Sequence, residues 1–149
     1  MSVTPGMIKL KIGYTVSLDT NIFICALNKK DSRQDKSLKI LEQIKKKDIN
    51  VCISVLLLEE FFIRIYKQKE EQSIPALMDF ITMQSEVDIL DVNQQLALQA
   101  AKLRAEYSSL RTPDALHLAS AIEAGAKFFI TTDKRLPRKV GKLKIEVLS

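Results

Sequence analysis

Residues 14–21 read Tyr14-Thr15-Val16-Ser17-Leu18-Asp19-Thr20-Asn21, a short β-prone run that breaks on an acid. The run predicts a strand over 14–18 followed by a turn. A short helix is expected over 22–27. Further along, 31–47 reads as a helix, with Leu38, Leu41 and Ile44 at helical spacing and Lys45, Lys46 and Lys47 in the last turn, where cations suit the macrodipole. A second apolar, β-branched strand is expected over 49–53, with Ser54 as N-cap of a helix running to residue 66. Helix 74–83, edge strand 89–92 and a helix capped by Asn93 and running to 107 follow. Thr112-Pro113 supplies an N-cap and an N1 proline for a helix to residue 124, and Gly125 stands at C′. Residues 127–131 are expected as a third apolar strand, 133–136 as a turn or short helix, and 142–148, alternating Leu143, Ile145 and Val147, as a last strand. Strands alternating with helices imply βαβ units. The expected class is α/β, three layers α/β/α around a central parallel sheet of four to five strands.

The 149 residues suit one domain spanning 1–149. With 46% hydrophobic and 28% charged residues the balance is globular rather than disordered. Lys and Arg number 23 against 18 Asp and Glu, which biases the surface toward anionic partners such as nucleic acid. Cys25 and Cys52 lie in apolar surroundings without a second Cys or a His at ligand spacing, so both read as reduced, buried side chains of a cytoplasmic protein. Residues 1–13 lack a signal-peptide apolar region, and the longest strongly apolar run, 51–58, is shorter than the roughly 20 residues a membrane span needs.

In open α/β sheets, sites form beyond the carboxyl ends of the strands. Four acids fall there. Asp19 follows the first strand, Glu60 lies in the second turn of the helix leaving the second, Asp114 opens its helix, and Asp133 follows the third apolar strand by three residues. Each has an ordinary structural role open to it. Asp114 suits a helix N-terminus, Asp19 an Asx turn, Glu59-Glu60 a solvated face, and Asp133 a cap on Lys134-Arg135-Leu136. Four such acids at one edge call for a different reason. Clustered carboxylates repel unless a cation sits among them. Mg²⁺ or Mn²⁺ suits all-oxygen donors, whereas zinc would want the Cys/His cluster this chain lacks. Setting the four aside leaves 14 acids against 23 bases, a basic surface around an acidic pocket. That arrangement fits a phosphodiester substrate.

Four motifs carry a family resemblance: 17–23 (Ser-Leu-Asp-Thr-Asn-Ile-Phe), 53–61 (Ile-Ser-Val-Leu-Leu-Leu-Glu-Glu-Phe), 111–119 (Arg-Thr-Pro-Asp-Ala-Leu-His-Leu-Ala) and 129–136 (Phe-Ile-Thr-Thr-Asp-Lys-Arg-Leu). In order and spacing they resemble the motifs of PIN-domain nucleases, most closely the small VapC toxin type. The resemblance implies a Mg²⁺- or Mn²⁺-dependent endoribonuclease, commonly a homodimer, restrained by a small antitoxin. By position it carries the acidic quartet onto Asp19, Glu60, Asp114 and Asp133, and supporting polar roles onto Asn21 and Thr131. Glu60 is selected over Glu59, which points about 100° away on a helix of 3.6 residues per turn.

His117, the only histidine, reads as a packed or hydrogen-bonded core side chain ahead of a general base. Arg64, Arg111, Lys134 and Arg135 are candidates for phosphate contact, with surface solubility as the competing role. A second functional class stays open: a catalytically inactive PIN-like module that binds RNA or a protein. Other phosphate-handling folds fit less well. A dehalogenase-type phosphatase needs an Asp where Asn21 stands, and no phosphate-cradling Gly-Lys-Ser/Thr run occurs. A receiver-like domain would want adjacent acids just after its first strand, and residues 14–18 offer none before Asp19.

Overall fold

The structure is a computed structural model and describes residues 8–83 and 87–149. Most of the N-terminal stretch read above for a signal peptide lies outside those residues. The elements run β1 (Thr15–Leu18), α1 (Thr20–Leu27), α2 (Gln34–Lys46), β2 (Asn50–Ser54), α3 (Leu56–Lys67), a 3-10 turn (Glu71–Ser73), α4 (Ile74–Thr82), β3 (Asp88–Leu90), α5 (Gln94–Glu106), α6 (Thr112–Glu123), β4 (Phe128–Thr131), β5 (Lys139–Val140) and β6 (Leu143–Val147).

Six strands form one sheet in the order β3-β2-β1-β4-β6-β5. All neighbours pair in parallel except β5, which runs antiparallel to β6. The sheet is thus wider than the four to five strands expected, and β5 is the element without a sequence signal: two residues show no periodicity. The central strands are apolar on both faces because helices cover both, as parallel sheets require. Phe128 and Ile130 of β4 join one core with Leu18, Phe23, Ile40 and Phe61, while Phe129 between them joins a second with Leu96, Leu118 and Ile145. Val51 and Ile53 face the first core and Cys52 the second.

Local chemistry explains most boundaries. Ser54 Oγ accepts from the Leu56 amide at the head of α3, and Asn93 Oδ1 accepts from Leu96 at the head of α5. Gly125 takes φ +71° after α6, a left-handed stop that suits glycine. Three expectations are corrected. The N-cap of α3 is Val55, one residue after Ser54, which ends β2. The N-cap of α6 is Arg111, not Thr112, which moves Pro113 to N2; the Asp114 carboxylate accepts from the Arg111 amide and sets the start one residue earlier. The buried face of α2 runs through Ser37, Ile40, Leu41 and Ile44, and Leu38 is 43% exposed. A rotation of one residue lets a small side chain pack where a leucine was expected.

Both cysteines are free and buried, and burial pushes each thiol up to about 11, so both stay protonated at neutral pH. Among the described residues no helix is long and apolar enough to cross a membrane.

Register decides where the site lies. Leu18 pairs with Ile130, Ser54 with Leu90 and Thr131 with Val147, so the carboxyl ends of the parallel strands share one edge. Strand order reverses at β1, which sits between β2 and β4. The crevice between the carboxyl ends of β1 and β4 is the switch point where ligands of such sheets collect.

Candidate active site

Asp19 stands at that switch point. Its amide continues the ladder by donating to Ile130 O at 2.9 Å, and its carbonyl accepts from Ile22 as α1 begins. Thr131 Oγ1 donates to Asp19 Oδ2 at 2.6 Å. Burial raises the Asp19 carboxyl above its ordinary range; the Thr131 hydroxyl and the His117 ring oppose the shift, and the charge of Glu60 adds to it. Among the described residues no lysine or arginine pairs with Asp19.

Glu60 faces Asp19 from α3. Its Oε1 accepts from Thr20 Oγ1 at 2.8 Å and meets His117 Nε2 at 2.6 Å. Burial pushes its carboxyl up, but the bond to His117, that ring's charge and the Thr20 hydroxyl outweigh it, so the net direction is downward. Glu59, one residue earlier, is exposed. His117 is 4% exposed, its ring 6.4 Å from that of Phe129. It is a buried, hydrogen-bonded histidine whose partner is one of the four acids. Thr20 was missed from sequence as a partner of Glu60; its one signal is that it follows Asp19 directly, and nothing local tells that its hydroxyl reaches a residue 40 positions on.

The other two acids are arranged differently. Asp114, at N3 of α6, accepts from the Arg111 amide through Oδ2 at 2.9 Å. Asp133 Oδ1 accepts from the Arg135 amide at 2.9 Å and from its Nε at 3.1 Å, while Oδ2 accepts from the guanidinium at 2.5 Å. The same guanidinium lies 3.6 Å from Asp114 Oδ2. Burial alone would raise the Asp133 carboxyl; the amide and guanidinium of Arg135 and the charge of Arg111 outweigh it and hold it low. The ordinary roles open to these residues, helix start for Asp114 and turn cap for Asp133, are both filled.

Thr131, fully buried, joins the two halves: its Oγ1 donates to Asp19 and accepts from the Asp133 amide at 3.0 Å. Asn21 is exposed in the first turn of α1 with no side-chain hydrogen bond among the described residues. Of the phosphate-contact candidates, Arg64 lies over the Phe61 ring at 5.5 Å, Arg111 is exposed near Asp133, Arg135 is engaged by two acids, and Lys134 lines a basic cleft with Arg138, Lys139 and Lys144.

The donor set is all oxygen, with a desolvated carboxylate at its centre that no ammonium or guanidinium touches. That chemistry fits a hard divalent cation. As the side chains lie, however, no three Asp, Glu, His or Cys among the described residues gather closely enough to enclose an ion. Glu60 is held by Thr20 and His117, and Asp133 by Arg135, so Asp133 would have to release that guanidinium to ligate an ion.

The PIN-domain family model matches residues 16–142. Comparison with curated protein sequences finds no match. Among solved structures, VapBC2 from Rickettsia felis, bound to a DNA fragment from its promoter, contains a chain 26% identical to this one. It superposes with a TM-score of 0.69 over 91% of this chain and 99% of its own. A chain of DNA-bound VapBC from Salmonella typhimurium, 21% identical, superposes at 0.68 with the same coverages. Mycobacterium tuberculosis VapC20, a sarcin–ricin loop cleaving toxin, is 17% identical and superposes at 0.60 over 76% of this chain and 86% of its own.

Proposed function

This chain belongs to the PIN-domain family, and we propose that it works as a Mg²⁺- or Mn²⁺-dependent endoribonuclease of the VapC toxin type, cleaving single-stranded or structured RNA. One observation carries the reading. At the switch point of the sheet, a desolvated Asp19 carboxylate without a cationic side chain sits against Glu60 and is tied through Thr131 to Asp133.

Asp19, Asp114 and Asp133 would hold the ion, with Glu60 beside them. A bound divalent ion lowers the pKa of its water and stabilises charge on a phosphoryl oxygen. Thr131 fixes the rotamer of Asp19. The Glu60 carboxylate, held by Thr20 and His117, is placed to orient a water or take its proton, and the buried His117 ring keeps it there.

Asp19→Asn keeps shape and removes charge. Cleavage of a single-stranded RNA in Mn²⁺ should fall more than about 100-fold, exceeding the 10–100-fold typical for the residues that merely support ligands, with an unchanged circular dichroism spectrum. Undiminished cleavage in that variant refutes the assignment.

The Arg135 guanidinium between Asp114 and Asp133 favours a second reading, a PIN-like module that binds RNA or a protein without cutting. Saturable RNA binding with no products in Mg²⁺ or Mn²⁺ selects it. Partners follow the first reading: a small antitoxin, as in the VapBC2 assembly, and a second copy of the chain in a cytoplasmic protein. Light scattering of the purified chain, alone and co-expressed with a neighbouring short reading frame, tests both.

A further inference from the structure

The geometry points to a phosphate-backbone track outside the carboxylate edge, formed by Lys134, Arg138, Lys139 and Lys144 on the open β6–β5 side of the sheet. These four cations line a cleft of about 480 Å³ in which, among the described residues, Glu146 is the one acidic side chain. All four are exposed, and among the described residues none is in an ion pair. The Arg138 guanidinium donates to Leu136 O at 3.1 Å and the Lys144 ammonium lies 6.0 Å from the Phe128 ring, so neither charge meets a carboxylate in an ion pair among the described residues.

Position ties this cleft to the acids. Lys134 follows Asp133 directly. Val147 is level with Thr131 at the carboxyl edge, and Lys144 is level with Phe128, three residues back along β6. At about 3.3 Å per residue the track therefore runs roughly 10 Å away from the acids. Lys139 stands opposite Lys144 in the antiparallel β5–β6 pair, which places two ammonium groups side by side at its far end. Carboxylates at one end and unpaired cations along the rest match an RNA strand whose scissile phosphate lies at the edge while flanking phosphates lie over β6. Long, flexible, exposed cations hold a polymer backbone without reading its bases. The inference deepens the nuclease reading, since it states where that substrate lies, and it rests on that reading for the choice of RNA.

Binding is measured in EDTA, where no metal-dependent cutting intervenes, by fluorescence anisotropy of a labelled single-stranded RNA across a salt series. Arg138→Ala/Lys139→Ala/Lys144→Ala should bind at least tenfold more weakly near 0.1 M salt. Its salt slope should fall by about 2, at roughly 0.7 per phosphate contact on a single strand. Lys139→Ala/Lys144→Ala, which leaves the Arg138 anchor intact, should lose part of both. A matched pair on the α1–α2 loop, Lys29→Ala/Lys30→Ala, should change neither. Wild-type affinity and slope in the triple variant overturn the track, including the case where that variant instead loses binding to an acidic protein. An equal loss in the Lys29/Lys30 control overturns it too. Weakened binding in a chain that cuts no RNA in any metal leaves the track standing and removes the nuclease; undisturbed binding in a chain that cuts does the reverse.

Discussion

The two halves of the carboxylate edge solve the same electrostatic problem in opposite ways. Asp19 and Glu60 are propped by hydroxyls and a buried imidazole, from Thr131, Thr20 and His117. Asp114 and Asp133 share the guanidinium of Arg135, which is 42% exposed. Accordingly Asp19 is pushed up by burial while Asp133 is held down by Arg135 and Arg111. The difference separates a half that wants positive charge from one that has it. If the proposed metal site forms, an incoming cation would gain most at Asp19, whereas at Asp133 it would have to displace Arg135.

The widest break in this contrast comes at the residue both halves share. Thr131→Val keeps the volume and β propensity of β4 but removes the donor to Asp19 and the acceptor for the Asp133 amide. A buried polar group left unpaired costs about 1–3 kcal/mol, and two are affected. Urea unfolding should show a loss of about 2–4 kcal/mol, and a loss below about 1 kcal/mol means that the bridge does not hold the halves together.

Next in size is a gain. A carboxyl whose folded pKa is raised stabilises the fold below its ordinary value of about 3.9, and that contribution is lost as pH rises through the folded value. Near neutral pH, Asp19 is thus a charge the fold carries at a cost. Asp19→Asn should therefore raise the Tm of the metal-free protein at pH 7. The gain should vanish below pH 3. Destabilisation of the metal-free variant at pH 7 contradicts the reading of Asp19 as an uncompensated charge.

How much of this was legible depends on range. The strand-then-acid pattern at Leu18-Asp19 and Ile130-Thr131-Thr132-Asp133 places two acids at one edge, because parallel strands share a direction and their ends share a side. Capping by Asn93 is local and readable for the same reason. Leu38 misled because helical spacing fixes a face only to within one residue, and the small Ser37 packs where spacing alone favours the leucine. The bond from His117 to Glu60 spans 57 residues and exists only once α3 and α6 are packed. The four-cation cleft was hidden for a like reason. Lys139 and Lys144 become neighbours through a two-residue strand with no periodic signal. Arg135 was two residues from Asp133 throughout, yet its reach to Asp114 needs the edge assembled.

The smallest effect is the most telling, because its size follows pH. Arg135→Gln removes the guanidinium from Asp133 and Asp114, but that group is exposed and screened, so the loss of stability at pH 7 should be small. A carboxyl whose folded pKa is lowered gives its stability above the ordinary aspartate value and loses it as pH falls through the folded one. Asp133 is such a group, and once protonated it no longer attracts the guanidinium. The Tm difference between wild type and Arg135→Gln should therefore be positive at pH 7 and shrink toward zero below about pH 4 as Asp133 takes up its proton. In the same variant, with the resident cation gone, calorimetry should show Mn²⁺ bound several-fold more tightly than by wild type, because Asp114 and Asp133 then repel each other until an ion arrives. A Tm difference that persists at pH 2 makes the role of Arg135 one of packing. Unchanged Mn²⁺ affinity alongside a vanishing Tm difference means that the two halves do not compete for the same charge.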